Sequence, residues 1–187
     1  IVCIISVITE IKEEPLMKLT PVMERFVVHW GEMGSRWGVN RTVSQIHALL
    51  YLSESPLTAE TIAEVLQVAR SNVSTSLREL QSWGLVKLVH VIGDRRDHFE
   101  SLTDIREIFR VIVSERKKRE IDPTLTVLRA CATEAGNETP KAVRERMADT
   151  LAFMELLDSV FGEVNQLPDA SLVAWLKTGL KARKLMR

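Results

Sequence analysis

The 187-residue sequence is 45% hydrophobic and 27% charged, a balance that supports a buried core and excludes disorder as the main state. Its 25 Lys plus Arg against 25 Asp plus Glu give a formal charge of zero, so no global field steers the chain toward a polyanion or a membrane. Cys3 and Cys131 stand far apart without Cys-x-x-Cys or Cys/His spacing, which excludes a disulfide framework or a structural zinc site and favours a reduced, cytoplasmic compartment.

The opening run IVCIISVI (residues 1–8) is far shorter than the ~20 residues that span a bilayer. No basic residue precedes it, and Glu10, Lys12, Glu13 and Glu14 follow, so it does not read as a secretory signal either. Met17 begins what reads as an ordinary protein start. Residues 1–16 are expected to be either an N-terminal extension foreign to the native chain or a β-rich edge strand.

Over residues 21–37 the apolar positions Val22, Phe26, Trp30, Met33 and Trp37 recur at helical spacing behind Thr20 and Pro21, which predicts an amphipathic helix. Asn40 is placed to cap a second helix carrying Val43, Ile46, Leu49 and Leu50, ended by Ser55-Pro56. Thr58, followed by Glu60 and Glu64, starts a short third helix with Ile62, Ala63 and Leu66 inward. After a turn over residues 67–70, Ser71 is expected to cap a fourth helix with Val73, Leu77 and Leu80 on its inner face and Gly84 as its stop. The β-branched stretch 85–92 then predicts a strand, Gly93-Asp94 a turn, and residues 98–102 a returning strand.

The remainder reads as helix. Asp104 caps a long charged helix with Ile105, Ile108, Phe109 and Ile112 inward, and Asp122-Pro123 begins another that ends near Gly136. Two more are expected, over residues 140–164 (Val143, Met147, Leu151, Met154, Leu157, Phe161) and from 168 to about 185. No internal repeat, low-complexity tract or Gly/Ser linker interrupts them.

The chemistry sits in the middle block. Its order of helix, turn, helix and hairpin is that of a module in which one helix braces a second, leaving the second free to enter a DNA major groove. Ile62, Leu66, Val68, Val73 and Leu77 supply the brace, and the outward residues near the head of the fourth helix are Ser71, Asn72, Ser74, Thr75 and Arg78. Hydroxyls, an amide and a guanidinium on a face almost free of acid suit phosphates and base edges, although any surface helix is polar outside. The hairpin tip reads Gly93-Asp94-Arg95-Arg96-Asp97, with two arginines at its most protruding point and two acids that can pair with them. Residues 41–100 hold six basic and seven acidic side chains, a net charge of −1, which counts against strong non-specific binding.

The stretch RSNVSTSLRELQSWGLVKLVHVIGDRRDHFE (residues 70–100) resembles the GbsR/MarR family of bacterial and archaeal transcriptional regulators, with similarity running from about Met17 to the C-terminus. Gly84-Leu85-Val86 and the Asp94-Arg95-Arg96 tip are similar to MarR wings in general. Ser71-Asn72-Val73-Ser74 and the run from Gly93 to Phe99 resemble the GbsR branch in particular. The resemblance implies a mainly α fold: a winged helix-turn-helix with a small β-hairpin wing over residues 17–103, then a helical dimerisation and effector region over 104–187. It further implies a homodimeric, sequence-specific DNA-binding regulator, a repressor or an activator, with a repressor that responds to a small-molecule effector as the preferred reading. Major-groove contacts would fall on Ser71, Asn72, Ser74, Thr75 and Arg78, with Arg70 at the head of the same helix, and wing contacts on Arg95 and Arg96. Residues 1–16 lie outside the family pattern.

The expected partners are double-stranded DNA and a second copy, whose pairing would cover the aliphatic surface of the later helices and space two recognition helices roughly 34 Å apart. Arg116-Lys117-Lys118-Arg119 reads as a solvated helix face in preference to a DNA-backbone contact, and Lys177, Lys181, Arg183, Lys184 and Arg187 leave the tail basic. Members of the GbsR branch include sensors of choline or betaine, so a quaternary ammonium effector would call for an aromatic cage drawn from Trp30, Trp37, Trp83 and Trp175; core packing is the commoner role for Trp. Cys131, in the pattern Leu128, Cys131, Ala132, reads as inert packing in preference to a redox switch. No phosphate loop, HExxH or GxSxG occurs, and His29, His47, His90 and His98 fall on different elements, so the chain does not read as an enzyme and no cofactor or metal is called for. The competing reading is a winged-helix module that docks a protein partner without direct DNA readout.

Overall fold

The computed structural model describes residues 17–168, together with the helical positions Ala174 and Thr178. Both readings of residues 1–16, Cys3, and the helix expected after Pro168 with Trp175 and its basic tail lie outside the described residues. The chain divides into two compact units at the Thr103–Asp104 bond.

In the first unit, α1 (Pro21–Arg36) begins where Thr20 Oγ1 accepts the Met23 amide at 3.3 Å behind Pro21. Its buried line is not the expected stripe. Val27, Gly31 and Gly34 are buried, Phe26, Trp30 and Met33 are half-buried, and Val22 and Trp37 are exposed. The two glycines explain the rotation. A Cβ on Gly34 would meet Ser44 Oγ at 2.0 Å, and one on Gly31 would meet Gln45 Cγ at 2.6 Å, so α2 (Arg41–Leu52) lies against α1 closer than any larger residue permits. Asn40 Oδ1 caps α2 through the Thr42 amide at 2.8 Å, and Val43, Ile46, Leu49 and Leu50 are all buried. His47 is buried beside them, its ring tilted against that of Trp30, which stacks on Phe26.

Next come β1 (Leu57–Thr58), α3 (Ala59–Leu66), α4 (Arg70–Ser82), β2 (Val86–Val89) and β3 (His98–Ser101). The strands form an antiparallel sheet in the order β1-β3-β2, with Leu57 opposite Phe99 and Leu88 opposite Phe99 on the other side. β1 was not legible as a strand: two residues after Pro56 offer no alternation to read. Thr58 has two functions there. It pairs with His98 in the sheet, and its Oγ1 accepts the Thr61 amide at 3.2 Å to cap α3, tying the head of the helix-turn-helix to the wing. Ile62, Val73, Leu77 and Leu80 fill the space between α3, α4 and the sheet, each burial contributing roughly 1.5–3 kcal/mol. β2 is shorter than expected, because residues 90–97 leave the ladder to form the wing loop, and β3 starts where expected and ends one residue early, at Ser101.

The second unit is helical: α5 (Ile105–Arg116), a π-helical turn (Lys117–Ile121), α6 (Asp122–Glu134) and α7 (Lys141–Gln166). The break expected at Asp122-Pro123 is absent. Pro123, which lacks an amide hydrogen, is absorbed by the wider π turn just before it, and the helix runs on. Asp104 caps α5 through the Arg106 amide at 2.8 Å. Its inward set is narrower than expected, with Ile108 buried, Ile112 half-buried, and Ile105 and Phe109 exposed. No residue of α7 is buried over its 26 residues. Cys131 is exposed on α6, so the packing expected of it does not occur; Leu125 is the buried position of that helix. No described helix is long and apolar enough to cross a membrane.

Candidate nucleic-acid interface

The turn between α3 and α4 is made by Gln67 in the left-handed conformation (φ 52°), and α4 then starts at Arg70, two residues earlier than a Ser71 cap implies. Ala69 occupies the N-cap and supplies no side-chain hydrogen bond, so Ser71 is a first-turn residue and not the cap. Side-chain capping is therefore missing at the positive end of the helix dipole, a natural seat for an anion.

Arg70, Ser71, Asn72, Ser74, Thr75 and Arg78 are all exposed on α4, while Val73, Ser76, Leu77 and Leu80 are buried beneath them. Arg78 lies along its own helix, donating from Nε to the Ser74 carbonyl and from a terminal nitrogen to Thr75 Oγ1, both at 3.3 Å. Arg70 is ion-paired with Glu60 of α3. That pairing was not read from the sequence, where Glu60 counted only as a first-turn helix charge, because the ten-residue separation says nothing of proximity until the turn folds the two helices together.

The wing begins beyond β2. Gly93 holds φ 87°, and the Asp94 amide donates to the Val91 carbonyl at 3.1 Å to close the turn. Asp94 grips Arg96 twice: its carboxylate accepts the Arg96 backbone amide at 2.9 Å and Nε at 2.9 and 3.0 Å, and it also pairs with the guanidinium tip. These hydrogen bonds hold the Asp94 carboxyl well below the usual carboxylate range. His98 braces the loop from beneath. It is buried, its Nδ1–H donates to the Arg96 carbonyl at 3.0 Å, and Nε2 lies 3.5 Å from Asp94. Its contacts are thus internal to the wing. Arg95 and Arg96 are both exposed, and Arg95 makes no hydrogen bond or ion pair with a described residue.

Helix and wing share one groove of about 400 Å³, lined by Arg70, Ser74 and Arg78 from α4 and by Arg96 and Asp97 from the wing. Lys87 is paired across the strands with Glu100 at 2.7 Å. Much of the block's acid is therefore spent on internal pairs, and Arg78 and Arg95 have no carboxylate partner among the described residues. A near-zero net charge is compatible with two uncompensated guanidiniums on the exposed face.

A model of the MarR family matches residues 37–97, from the end of α1 to the wing. This similarity to the MarR family covers about a third of the chain, the part that forms the helix-turn-helix and the wing. YvaV of Bacillus subtilis (strain 168), named as an HTH-type transcriptional regulator, is 21% identical over 103 residues, spanning 55% of this chain and 58% of that relative. A crystal structure of a transcriptional regulator superposes with a TM-score of 0.58 at 19% identity, covering 78% of this chain and 96% of the other, which is likeness of fold. A mutant of S. aureus MepR bound to an oligodeoxyribonucleotide is similar at a TM-score of 0.37 and 19% identity over 74% of this chain and 90% of its own. The matched residues take in the brace, the exposed helix and the wing.

In the helical unit, the basic run 116–119 is neutralised within the chain. Arg116 and Arg119 pair with Glu120, Lys118 with Glu115 at 2.7 Å, and Lys117 with Asp122 and Asp158 at 2.6 and 2.8 Å. Of the candidate aromatic cage, Trp175 lies outside the described residues, and the other three sit at separate places in the first unit. Trp30 is engaged in the 5.4 Å stack with Phe26, Trp37 lies exposed at the end of α1, and Trp83 follows α4.

Proposed function

We propose that the chain is a sequence-specific DNA-binding transcriptional regulator of the GbsR type, acting as a homodimer and as a repressor responsive to a small-molecule effector. The observation that carries DNA binding is the shared groove: an uncapped helix head and the wing residue Arg96 border the same concavity, and Arg78, without a carboxylate partner among the described residues, lines it. Phosphates at the helix head and wing would set the register, and Ser71, Asn72, Ser74, Thr75 and Arg78 would read base edges.

The homodimer reading is supported by the second unit. Ile105, Phe109, Val127, Phe153, Leu156 and Val160 are exposed there, while Ile108 and Leu125 are its buried apolar residues among those described. A second copy placing its own helices on this surface would bury it and present two recognition helices to one face of a duplex. Repression and an effector of quaternary ammonium type rest on the GbsR-like wording of residues 71–74 and 93–99.

The test is a mobility shift of the intergenic DNA upstream of the chain's own coding sequence, over a series of salt concentrations. Binding with a negative slope of log affinity against log salt, and relaxed sequence preference in Arg78→Ala, is expected. A wild-type protein that retains no such duplex, while capturing a defined protein partner through the α4 face, would instead mark an interaction module. Light scattering on the same sample reads the dimer.

A further inference from the structure

We propose that Ile92, at the tip of the wing, is itself a DNA-contacting residue that packs its side chain against the sugar walls of the minor groove; the inference rests on the DNA-binding reading above and adds an uncharged component to the wing contact. Ile92 is 104% exposed, so nothing in the described chain shields it, and the neighbouring Val91 is also exposed. The turn does not require an isoleucine there. The positive φ falls on Gly93, the closing hydrogen bond joins the Asp94 amide to the Val91 carbonyl, and the position occupied by Ile92 is one that proline favours and most other residues can fill. An isoleucine is thus displayed at the extremity of a ribbon without local structural reason.

The surroundings select what covers it. Arg95 lies just past the turn, exposed and without a partner among the described residues, and Arg96 is held beside it by Asp94. A flat apolar protein surface able to bury Ile92 would also desolvate Arg95 with no counter-charge, which is costly. The minor groove offers both complements at once: apolar deoxyribose walls about 6 Å apart and phosphates along each rim. Proteins that enter this groove commonly bring an apolar wedge alongside basic side chains.

The contact neutralises no phosphate, and this makes it separable from the arginines. The experiment takes duplexes retained by the wild-type protein from a random-sequence library and measures their affinity for Ile92→Ser, Ile92→Leu and Arg95→Ala by fluorescence anisotropy at several salt concentrations, with melting temperatures alongside. Ile92→Ser is expected to melt with the wild type, to bind about fivefold more weakly, and to keep the wild-type salt slope. Ile92→Leu should retain affinity, and Arg95→Ala should flatten the slope. Wild-type affinity in Ile92→Ser, or a loss accompanied by a changed slope, overturns the proposal while leaving DNA binding intact. A wild-type protein that retains no duplex defeats both readings.

Discussion

Asp94 and Arg96 clasp one another across the wing turn, the carboxylate taking both the backbone amide at 2.9 Å and the guanidinium of a residue only two positions away. The pair fixes one arginine in place and at the same time masks an acid that would otherwise face any phosphate the wing approaches. Arg95, without such a clasp, is a simpler group.

The two arginines should therefore fail differently. Arg95→Ala removes one charge, and is expected to lower the salt slope by about one per subunit with no change in melting temperature. Arg96→Ala uncovers Asp94 as well, so a repulsion is added to a lost attraction and the affinity loss should exceed that of Arg95→Ala. Anisotropy titrations of both variants on one duplex check the order; equal losses would argue against the masking role.

Glu60 competes with DNA for Arg70. A surface ion pair of this kind contributes about 0–1 kcal/mol to stability, so Glu60→Gln should leave the fold nearly unchanged. It is expected to raise duplex affinity a fewfold, roughly the 1.4 kcal/mol per tenfold scale permitting no more, and to steepen the salt slope. Unchanged binding in Glu60→Gln would place Arg70 outside the interface.

Close packing of α1 on α2 makes Gly34 sensitive to a single methyl group. Gly34→Ala drives a Cβ to 2.0 Å from Ser44 Oγ, and overpacking of a buried contact costs about 1–3 kcal/mol, more than the helix propensity gained. Urea unfolding should show the loss, and Ser44→Gly in the same chain should recover part of it by vacating the space.

Burial of His47 sets an acid limb on stability. Desolvation lowers its pKa from 6.5 to about 4, and its Nε2 has no hydrogen-bond partner among the described residues. Above pH 6.5 the ring is neutral in both folded and unfolded chains, and stability is unaffected. As pH falls from 6.5 toward 4, the unfolded chain takes up the proton first, so the folded state loses up to about 3 kcal/mol, and the loss levels off below pH 4. His47→Gln should flatten this window in denaturant midpoints measured across pH; an unaltered acid limb would assign it to carboxylates instead.

Much of the first unit was legible locally. The caps Thr20, Asn40 and Thr58, the apolar lines of α2 and α4, and the glycines at 84 and 93 act within one turn of chain, so their consequences are written in adjacent residues, as is the Asp104 cap that opens the second unit. The same holds for the exposed set Ser71, Asn72, Ser74, Thr75 and Arg78, which follows from three buried positions and a period of 3.6. The tertiary structure decided what depends on distant partners. Gly31 and Gly34 turned α1 onto a different face, Glu60 took Arg70, Asp94 took Arg96 while Arg95 was left open, and the two-residue β1 became the tie between helix and wing. Periodicity reports which side of an element is apolar; only packing shows how closely another element can approach that side, and which charges then meet.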